Sequence, residues 1–350
     1  MARPTKAFLT SIADELREVM PVTQACTLVG IGRSSFYRDT RHYQHYTPAT
    51  NPIPQKMRHQ PAALTEEEKQ VIEQALLDDW AQDLSVLQCY WRCFDSQIVS
   101  CSQRTFYRVA TALSLVGDRR KRRRGNAGHT SQAPRVLASA VGDAWSWDVT
   151  ELKGPGRERY KCFVAMDVFS RFPVAWRVEH TETGALAFEM FSQAFTRYGP
   201  PMVLHSDNGG PMRSREMTRL ISEYAGTTAS FSRPRVSDDN PFSESLFKTL
   251  KYALHCPDQF TGIDHARAWV DGFLGDYARH HRHSGIGYYT PHDVFHGHAG
   301  SVRDARQEFL DRSYLAHPQR YRQRPHAPRL PGSTGINHRP RPTPNLSQTG

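Results

Sequence analysis

From Ala144 onward three strand-like runs follow in close succession, and a carboxylate inside the first of them limits what the chain can fold into. AWSWDVT alternates, YKCFVAMDVFS is a nearly continuous apolar run, and FPVAWRV follows a turn at Ser170 and Arg171. Short runs rich in aromatic and β-branched residues, separated by turn residues, predict an antiparallel trio of strands. Asp148 sits in the first run, directly after Trp147 and close to Trp145. A lone charge on a buried strand is costly unless it is paired or metal-bound. The trio is therefore expected to present Asp148 to a polar cleft.

Downstream the period changes. Thr183 to Tyr198 places Ala187, Met190, Phe191, Ala194, Phe195 and Tyr198 on one helical face, and Gly199-Pro200 stops it. MVLHSD reads as a strand, Ser214 to Tyr224 as a helix with Met217, Leu220, Ile221 and Tyr224 inward, and TTASFS as a short strand. Three strands, then helix, strand, helix, strand, helix, predict an α/β sheet with helices packed on its faces.

Two further acids fall at breaks in this pattern: Asp207 in HSDNGG and Glu244 in NPFSESLFKTLK. Asn240 suits an N-cap and Pro241 the first helical position, so Glu244 falls in the first turn. Phe247, Leu250 and Leu254 are expected to face the sheet, while Lys248 and Lys251 share the face of Glu244. Asp238 and Asp239 compete with Glu244 but read more simply as a loop turn or cap. His205, Ser206 and Asn208 either shape the turn or position water or phosphate, and Trp145, Trp147 and Trp176 read as core aromatics. Clustered carboxylates repel, and divalent ions are the usual remedy; a pair about 3.5–4 Å apart stabilises both oxygens of an in-line phosphoryl displacement.

Upstream, residues 11–38 read as a helix-turn-helix with its turn at Gly30, or as a plain helical hairpin. In the first reading Arg33, Ser34, Ser35, Tyr37 and Arg38 face DNA, since the second helix of such a unit enters the major groove. Thr65 and Glu68 have the capping-box spacing, and Val71, Ile72, Ala75 and Leu76 follow a helical period. SCSQRTFYRVATAL shares FYR with GIGRSSFYR, which marks a second unit exposing Gln103, Arg104, Thr105 and Arg108. Arg119, Arg120, Lys121, Arg122, Arg123 and Arg124 form a basic block that contacts phosphates or is a solvated linker.

The net charge of +10 fits a polyanionic partner, because cations that neutralise phosphates release counterions. The absence of a long apolar run predicts no membrane span and a cytoplasmic, nucleoid-associated protein. The six cysteines include no C-x-x-C pair, so reduced thiols are expected; Cys89, Cys93, Cys101 and His129 match no usual zinc spacing. His280, His281 and His283 with Arg282 read as a polar helix end or, less simply, a metal site. Residues 318–350, rich in proline and arginine and free of acids, are expected to be disordered or ordered only on a partner.

Taken jointly, HSDNG, SFSRPRVSDDNPFSESLFKTLK and HHRHSGIGYYTP, in this order and with compatible gaps, resemble the bacterial insertion-sequence transposases with a retroviral-integrase-like core, the DDE recombinases. The resemblance covers roughly residues 134–298. It implies an RNase H-like α/β core, a five-stranded mixed sheet with flanking helices, preceded by all-α helix-turn-helix DNA-binding domains. It implies Asp148, Asp207 and Glu244 as catalytic, metal-holding residues, with Asp148 bridging two Mg²⁺ ions for which Mn²⁺ substitutes. Lys251, seven positions after the glutamate, matches a basic residue that contacts the DNA end, and Lys248 lies beside it. Thirty-six residues separate Asp207 from Glu244, one more than in many members, and the extra residue falls before Asn240.

The resulting organisation is a helix-turn-helix domain at 1–40, a linker at 41–61, a second such domain at 62–117 and a basic linker at 118–134. The integrase core follows at 135–298, then a C-terminal helix and tail at 299–350. The expected function is binding of terminal inverted repeats, DNA cleavage and 3′-OH strand transfer by a homo-oligomer assembled on double-stranded element and target DNA. The alternatives are a catalytically inactive helix-turn-helix regulator derived from a transposase and a nuclease for RNA-DNA hybrids.

Overall fold

In the computed structural model, residues 3–40, 60, 62–81, 84–116, 134–233 and 239–337 are described. The chain divides into two compact units, Met1–Gln60 and Pro61–Gly350. The first holds α1 (Arg3–Leu16), α2 (Val22–Val29) and α3 (Arg33–Thr40). They close on Ala13, Cys26 and Phe36, all buried, with Val22, Val29, Ile31 and Tyr37 around them. Gly30 ends α2 at φ +74°, a left-handed conformation that glycine adopts at little cost, and this turns the chain into α3.

The second unit begins with α4 (Glu66–Ala81), α5 (Val86–Asp95) and α6 (Gln103–Ala112). The Thr65–Glu68 capping box forms reciprocally: Thr65 N–H donates to Glu68 at 2.8 Å and Glu68 N–H to the Thr65 hydroxyl at 3.2 Å. Ile72 and Leu76 face inward, whereas Val71 points outward at 44% exposure, so the apolar stripe of α4 is narrower than its sequence predicts.

The sheet is built from β2 (Ala144–Lys153), β3 (Arg159–Asp167), β4 (Pro173–Glu179), β5 (Val203–Ser206) and β6 (Thr228–Phe231), after a short β1 (Val136–Ala138). Its order is β4-β3-β2-β5-β6. β2, β3 and β4 pair antiparallel, and β5 joins β2 and β6 in parallel. The near-continuous apolar run of β3 follows from cover on both faces. Phe163 and Ala165 pack with Trp145, Trp147 and α7 (Gly184–Tyr198), while Cys162, Val164 and Met166 pack with α9 (Pro241–Lys251) and α10 (Ile263–His280). α8 (Arg215–Glu223) lies beside α7, burying Met217 and Leu220. This five-stranded mixed sheet with flanking helices is an RNase H-like core, as expected.

Two expectations fail here. Leu254 lies beyond the end of α9 and is 54% exposed; Leu246, Phe247 and Leu250 are the residues that face the sheet. The tail, expected to be disordered, is ordered through Asn337: β7 (Thr334–Ile336) pairs antiparallel with β1, and Ile336 is fully buried. Long-range ion pairs hold it, Arg320 to Glu68 at 2.7 Å and Arg324 to Asp311 at 2.7 Å, and Tyr289 donates to Pro328 O at 2.6 Å. The acids that its composition lacks are supplied by α4 and by α12 (Ala299–Ala316).

Asp95, at the end of α5, joins the helical region to the core. It pairs with Arg282 at 2.8 Å and with Arg306 of α12 at 2.6 Å, and Arg306 is only 3% exposed. The Arg306 guanidinium also lies over Trp91 and Tyr289. Removing one partner of a buried pair leaves an uncompensated charge, which costs about 3–5 kcal/mol. Asp95→Ala is expected to lower the stability of the second unit by about that amount, measured by urea unfolding. Arg306→Met, which removes the buried cation itself, is expected to cost less.

Candidate active site

The register of β2 on β5 sets the position of both aspartates. Trp145 pairs with Leu204 and Ser146 with His205, a constant offset that, continued two residues past the last pair, brings Asp148 level with Asp207 just beyond β5. Neighbouring strands lie about 4.8 Å apart, and residues two apart on a strand share a face. Asp148 therefore shares the face of Ser146, and Asp207 that of His205.

That is the face covered by α9. The Asn240 side chain is buried against β2, accepting from Ser146 Oγ at 2.5 Å and donating to Trp147 O at 3.2 Å. Ser243 Oγ lies 3.0 Å from Ser146 Oγ. These bonds fix the first turn of α9, and with it Glu244, one residue further on. Asn240 was expected to cap the helix, but its side chain makes no cap bond and is spent on the strand instead. Ser146 and Ser243 are contacts that sequence reasoning missed, and Asn240 reads from sequence only as a cap; the available signal was a serine between two tryptophans, two residues before Asp148.

Electrostatics separate these acids from their neighbours. Burial, with the nearby charges of Asp207, Glu244 and Glu182, pushes the Asp148 carboxyl up to about 7 against the pull of the Val149 N–H. Asp207 accepts from Gly209 N–H at 2.8 Å. A Cβ on Gly209 would meet that Asp207 oxygen and Met212 Sδ at 3.0 Å each, which explains the glycine. Glu244 is half-buried, and Glu182, not anticipated from sequence, adds a fourth negative charge near Asp148.

Asp239, by contrast, is saturated. Although burial works against its ionised form, hydrogen bonds from Arg233 and Asn337 hold its pKa at about 2. It is a structural acid; Asp238 lies outside the described residues.

The remaining candidates divide clearly. His205 is fully buried, 3.0 Å from Ser230 Oγ and 2.9 Å from Asp239 O, and burial lowers its pKa. Ser206 donates to Asp207 O at 3.0 Å and Asn208 donates to Ser232 O, so all three shape the turn. Lys248 and Lys251 are exposed on α9. Arg33, Ser34 and Arg38 are exposed on α3, with Ser35 and Tyr37 half-buried. On α6, Arg104 and Arg108 are exposed while Gln103 and Thr105 are half-buried. In both copies of FYR the phenylalanine, Phe36 or Phe106, is buried and the arginine is exposed. Arg119, Arg120, Lys121, Arg122, Arg123, Arg124 and His129 lie outside the described residues. Trp145 and Trp147 are core residues, and Trp176, partly buried, donates to Asp271 at 3.2 Å.

The donor set of Asp148, Asp207 and Glu244 suits hard divalent cations, which prefer oxygen ligands. Its oxygens do not all lie within 4.8 Å of one another; among the described residues Asp79, Cys89 and Cys93, and His292, Asp293 and His298, form groups that tight.

The RNase H-like sheet, with Asp148 on its central strand, Asp207 just past β5 and Glu244 on α9, defines a class: a polynucleotidyl transferase with an integrase-like core. Two Integrase core domain families match, over residues 138–237 and 225–291. The chain is 27% identical over 214 residues to an uncharacterised 31.7 kDa protein of insertion element IS407 from Burkholderia multivorans, covering 60% of this chain and 74% of that one. It is 29% identical over 159 residues to the transposase of insertion sequence IS904 from Lactococcus lactis, covering 45% of this chain and 62% of that one. A solved structure of the HTLV-2 integrase catalytic core domain in complex with magnesium is 22% identical, with a TM-score of 0.36 over 45% of this chain and 98% of that one. Residues 138–291 thus match an integrase core domain, and the chain is similar to proteins of bacterial insertion elements. Among the described residues no helix is long and apolar enough to cross a membrane.

His283, at the helix end near this core, is half-buried with a buried, unpartnered Nε2, and desolvation of the ring together with His281 and Arg171 holds its pKa well below 6.5. The unfolded chain protonates this ring near its ordinary pKa and the folded chain does not. Its stabilisation is therefore present above pH 6.5 and is lost as pH falls below that value. His283→Phe is expected to flatten the decline in urea midpoint between about pH 7 and pH 5, measured against the wild-type chain.

Proposed function

We propose that the protein binds the terminal inverted repeats of its own mobile element, cuts DNA, and joins the freed 3′-hydroxyl to a new phosphodiester, using two Mg²⁺ ions held by Asp148, Asp207 and Glu244. The observation that carries this reading is the convergence of Asp148 and Asp207 on one sheet face with Glu244 on the helix that covers it, where burial and the neighbouring acids raise Asp148 to about 7. When bound, the ions stabilise the attacking and leaving oxygens of an in-line displacement and neutralise the repulsion among the acids. Mn²⁺, of similar ligand preference, is expected to substitute.

The chain's own residues do the rest. The Gly209 N–H and the Asn240–Ser146–Ser243 contacts hold the carboxylates in place before DNA arrives. Lys248 and Lys251, one and two turns after Glu244, are assigned to the phosphates flanking the cut, and α3 to the major groove. The basic block from Arg119 to Arg124 is assigned to sequence-independent backbone contact. Because two element ends are joined, the working form is a multimer on DNA. An inactive regulator would have no need to keep three acids together, and a hybrid nuclease would have no need of the FYR helices.

Asp207→Asn is expected to keep binding of element ends while lowering Mg²⁺-dependent cleavage by about a thousandfold or more, the equivalent of several kcal/mol. Cleavage of a labelled element end at the wild-type rate would exclude the ligand assignment. Deleting residues 1–60, a compact unit by itself, is expected to weaken sequence preference in a footprint and to leave weaker, salt-sensitive DNA contact.

A further inference from the structure

Seven residues from His292 to His298, HDVFHGH, carry three histidines and an aspartate that the carboxylate cluster does not use. His292 and Asp293 lie in α11 (Pro291–Phe295), which Thr290 caps: its hydroxyl accepts from Asp293 N–H at 3.1 Å and donates to the Asp293 carboxylate at 2.7 Å. One helical turn puts His296 beside His292, with ring centroids 4.4 Å apart. Gly297, at φ +77°, then reverses the chain, a conformation that a side chain would disfavour. His298 N–H donates to Asp293 O at 2.7 Å and closes the turn. Its ring returns to 5.8 Å from that of His292, and one ligand atom from each of His292, Asp293 and His298 lies within 4.8 Å of the other two.

We propose that His292, Asp293 and His298, with His296 as a fourth donor, bind a divalent transition ion of the zinc type at the elbow between α11 and α12. Imidazole nitrogens with one carboxylate suit zinc and its neighbours rather than Mg²⁺ or Ca²⁺, which take oxygen ligands. Tetrahedral bonds of about 2.0–2.2 Å put ligand atoms roughly 3.3–3.6 Å apart, so side-chain rotation alone closes the site. His296 and His298 are exposed, which leaves the ion a way in from solvent. The rival group of Asp79, Cys89 and Cys93 already has its carboxylate neutralised by the Arg92 guanidinium. An ion here would tie the first turn of α11 to the residue that opens α12, the helix that carries Arg306 to Asp95.

The test uses the full chain stripped of metal and titrated with Zn²⁺ by calorimetry and with Co²⁺ by visible absorbance. Asp207→Asn removes competing binding at the carboxylate cluster and is expected to retain one zinc per chain. Adding His292→Gln and His298→Gln to it is expected to weaken that binding by about tenfold or more, since even outer partners of metal ligands contribute 10–100-fold. Equal affinity and stoichiometry with and without the two histidines, or no zinc bound by Asp207→Asn, would overturn the proposal. Should the triple variant fold poorly, histidine ring resonances of Asp207→Asn, assigned with His296→Gln, read the same site. Zinc is expected to shift the rings of this cluster, and a spectrum in which they stay fixed overturns the proposal.

Discussion

The grip of Asn240 on β2 is the contact on which the site depends. A helix laid across a sheet by apolar packing alone can slide by a fraction of a turn at small cost, and a carboxylate at its start would move with it. Asn240 bonds both the Ser146 side chain and the Trp147 carbonyl inside an otherwise apolar layer, where leaving either group unpaired costs about 1–3 kcal/mol. The pairing therefore specifies one register of α9 on the strand that bears Asp148. A directional polar contact sets the chemistry's geometry, while Leu246, Phe247 and Leu250 supply the adhesion.

The acids of the second unit fall into two electrostatic kinds. Asp167, Asp95 and Asp239 are surrounded by donors: Asp167 takes the Ser170 hydroxyl and two backbone N–H groups, Asp95 two guanidiniums, and Asp239 Arg233 and Asn337. These carboxylates shape turns and fasten elements together. Asp148 is buried, accepts from its own neighbour's N–H and faces the charges of Asp207, Glu244 and Glu182, so its proton is held more tightly. Burial raises the pKa of Asp167 as well, but there donors oppose the rise, whereas around Asp148 like charges add to it, as at functional sites.

Much of this was legible in the sequence because it is local. Alternation in AWSWDVT, the apolar run of β3 and the helical faces of α7 and α8 each follow from the spacing of apolar side chains within one element. What escaped was long-range. Asn240 looks like a cap from its neighbours in sequence, and only the approach of β2, more than ninety residues earlier, claims its amide. The tail reads as disordered because composition counts only its own residues, whereas its arginines find acids on α4 and α12. Leu254 fits the helical period, but the helix ends at Lys251 before the period can be used.

The two FYR helices share a local pattern and differ in how they are held. α3 belongs to a small unit closed on three buried side chains, whereas α6 is part of an apolar core that includes Leu310 of α12 and Ala327 of the tail. The stacking of Trp91 on Tyr288, 4.8 Å between centroids, and the Asp95 ion pairs make that joint stiff. Arg104 and Arg108 are thus carried at a fixed distance from Asp148, as a reader of DNA must be if the place it reads is to determine the place that is cut. Under the proposed function, α6 sets the spacing between recognition and cleavage, and α3 contributes affinity and sequence preference.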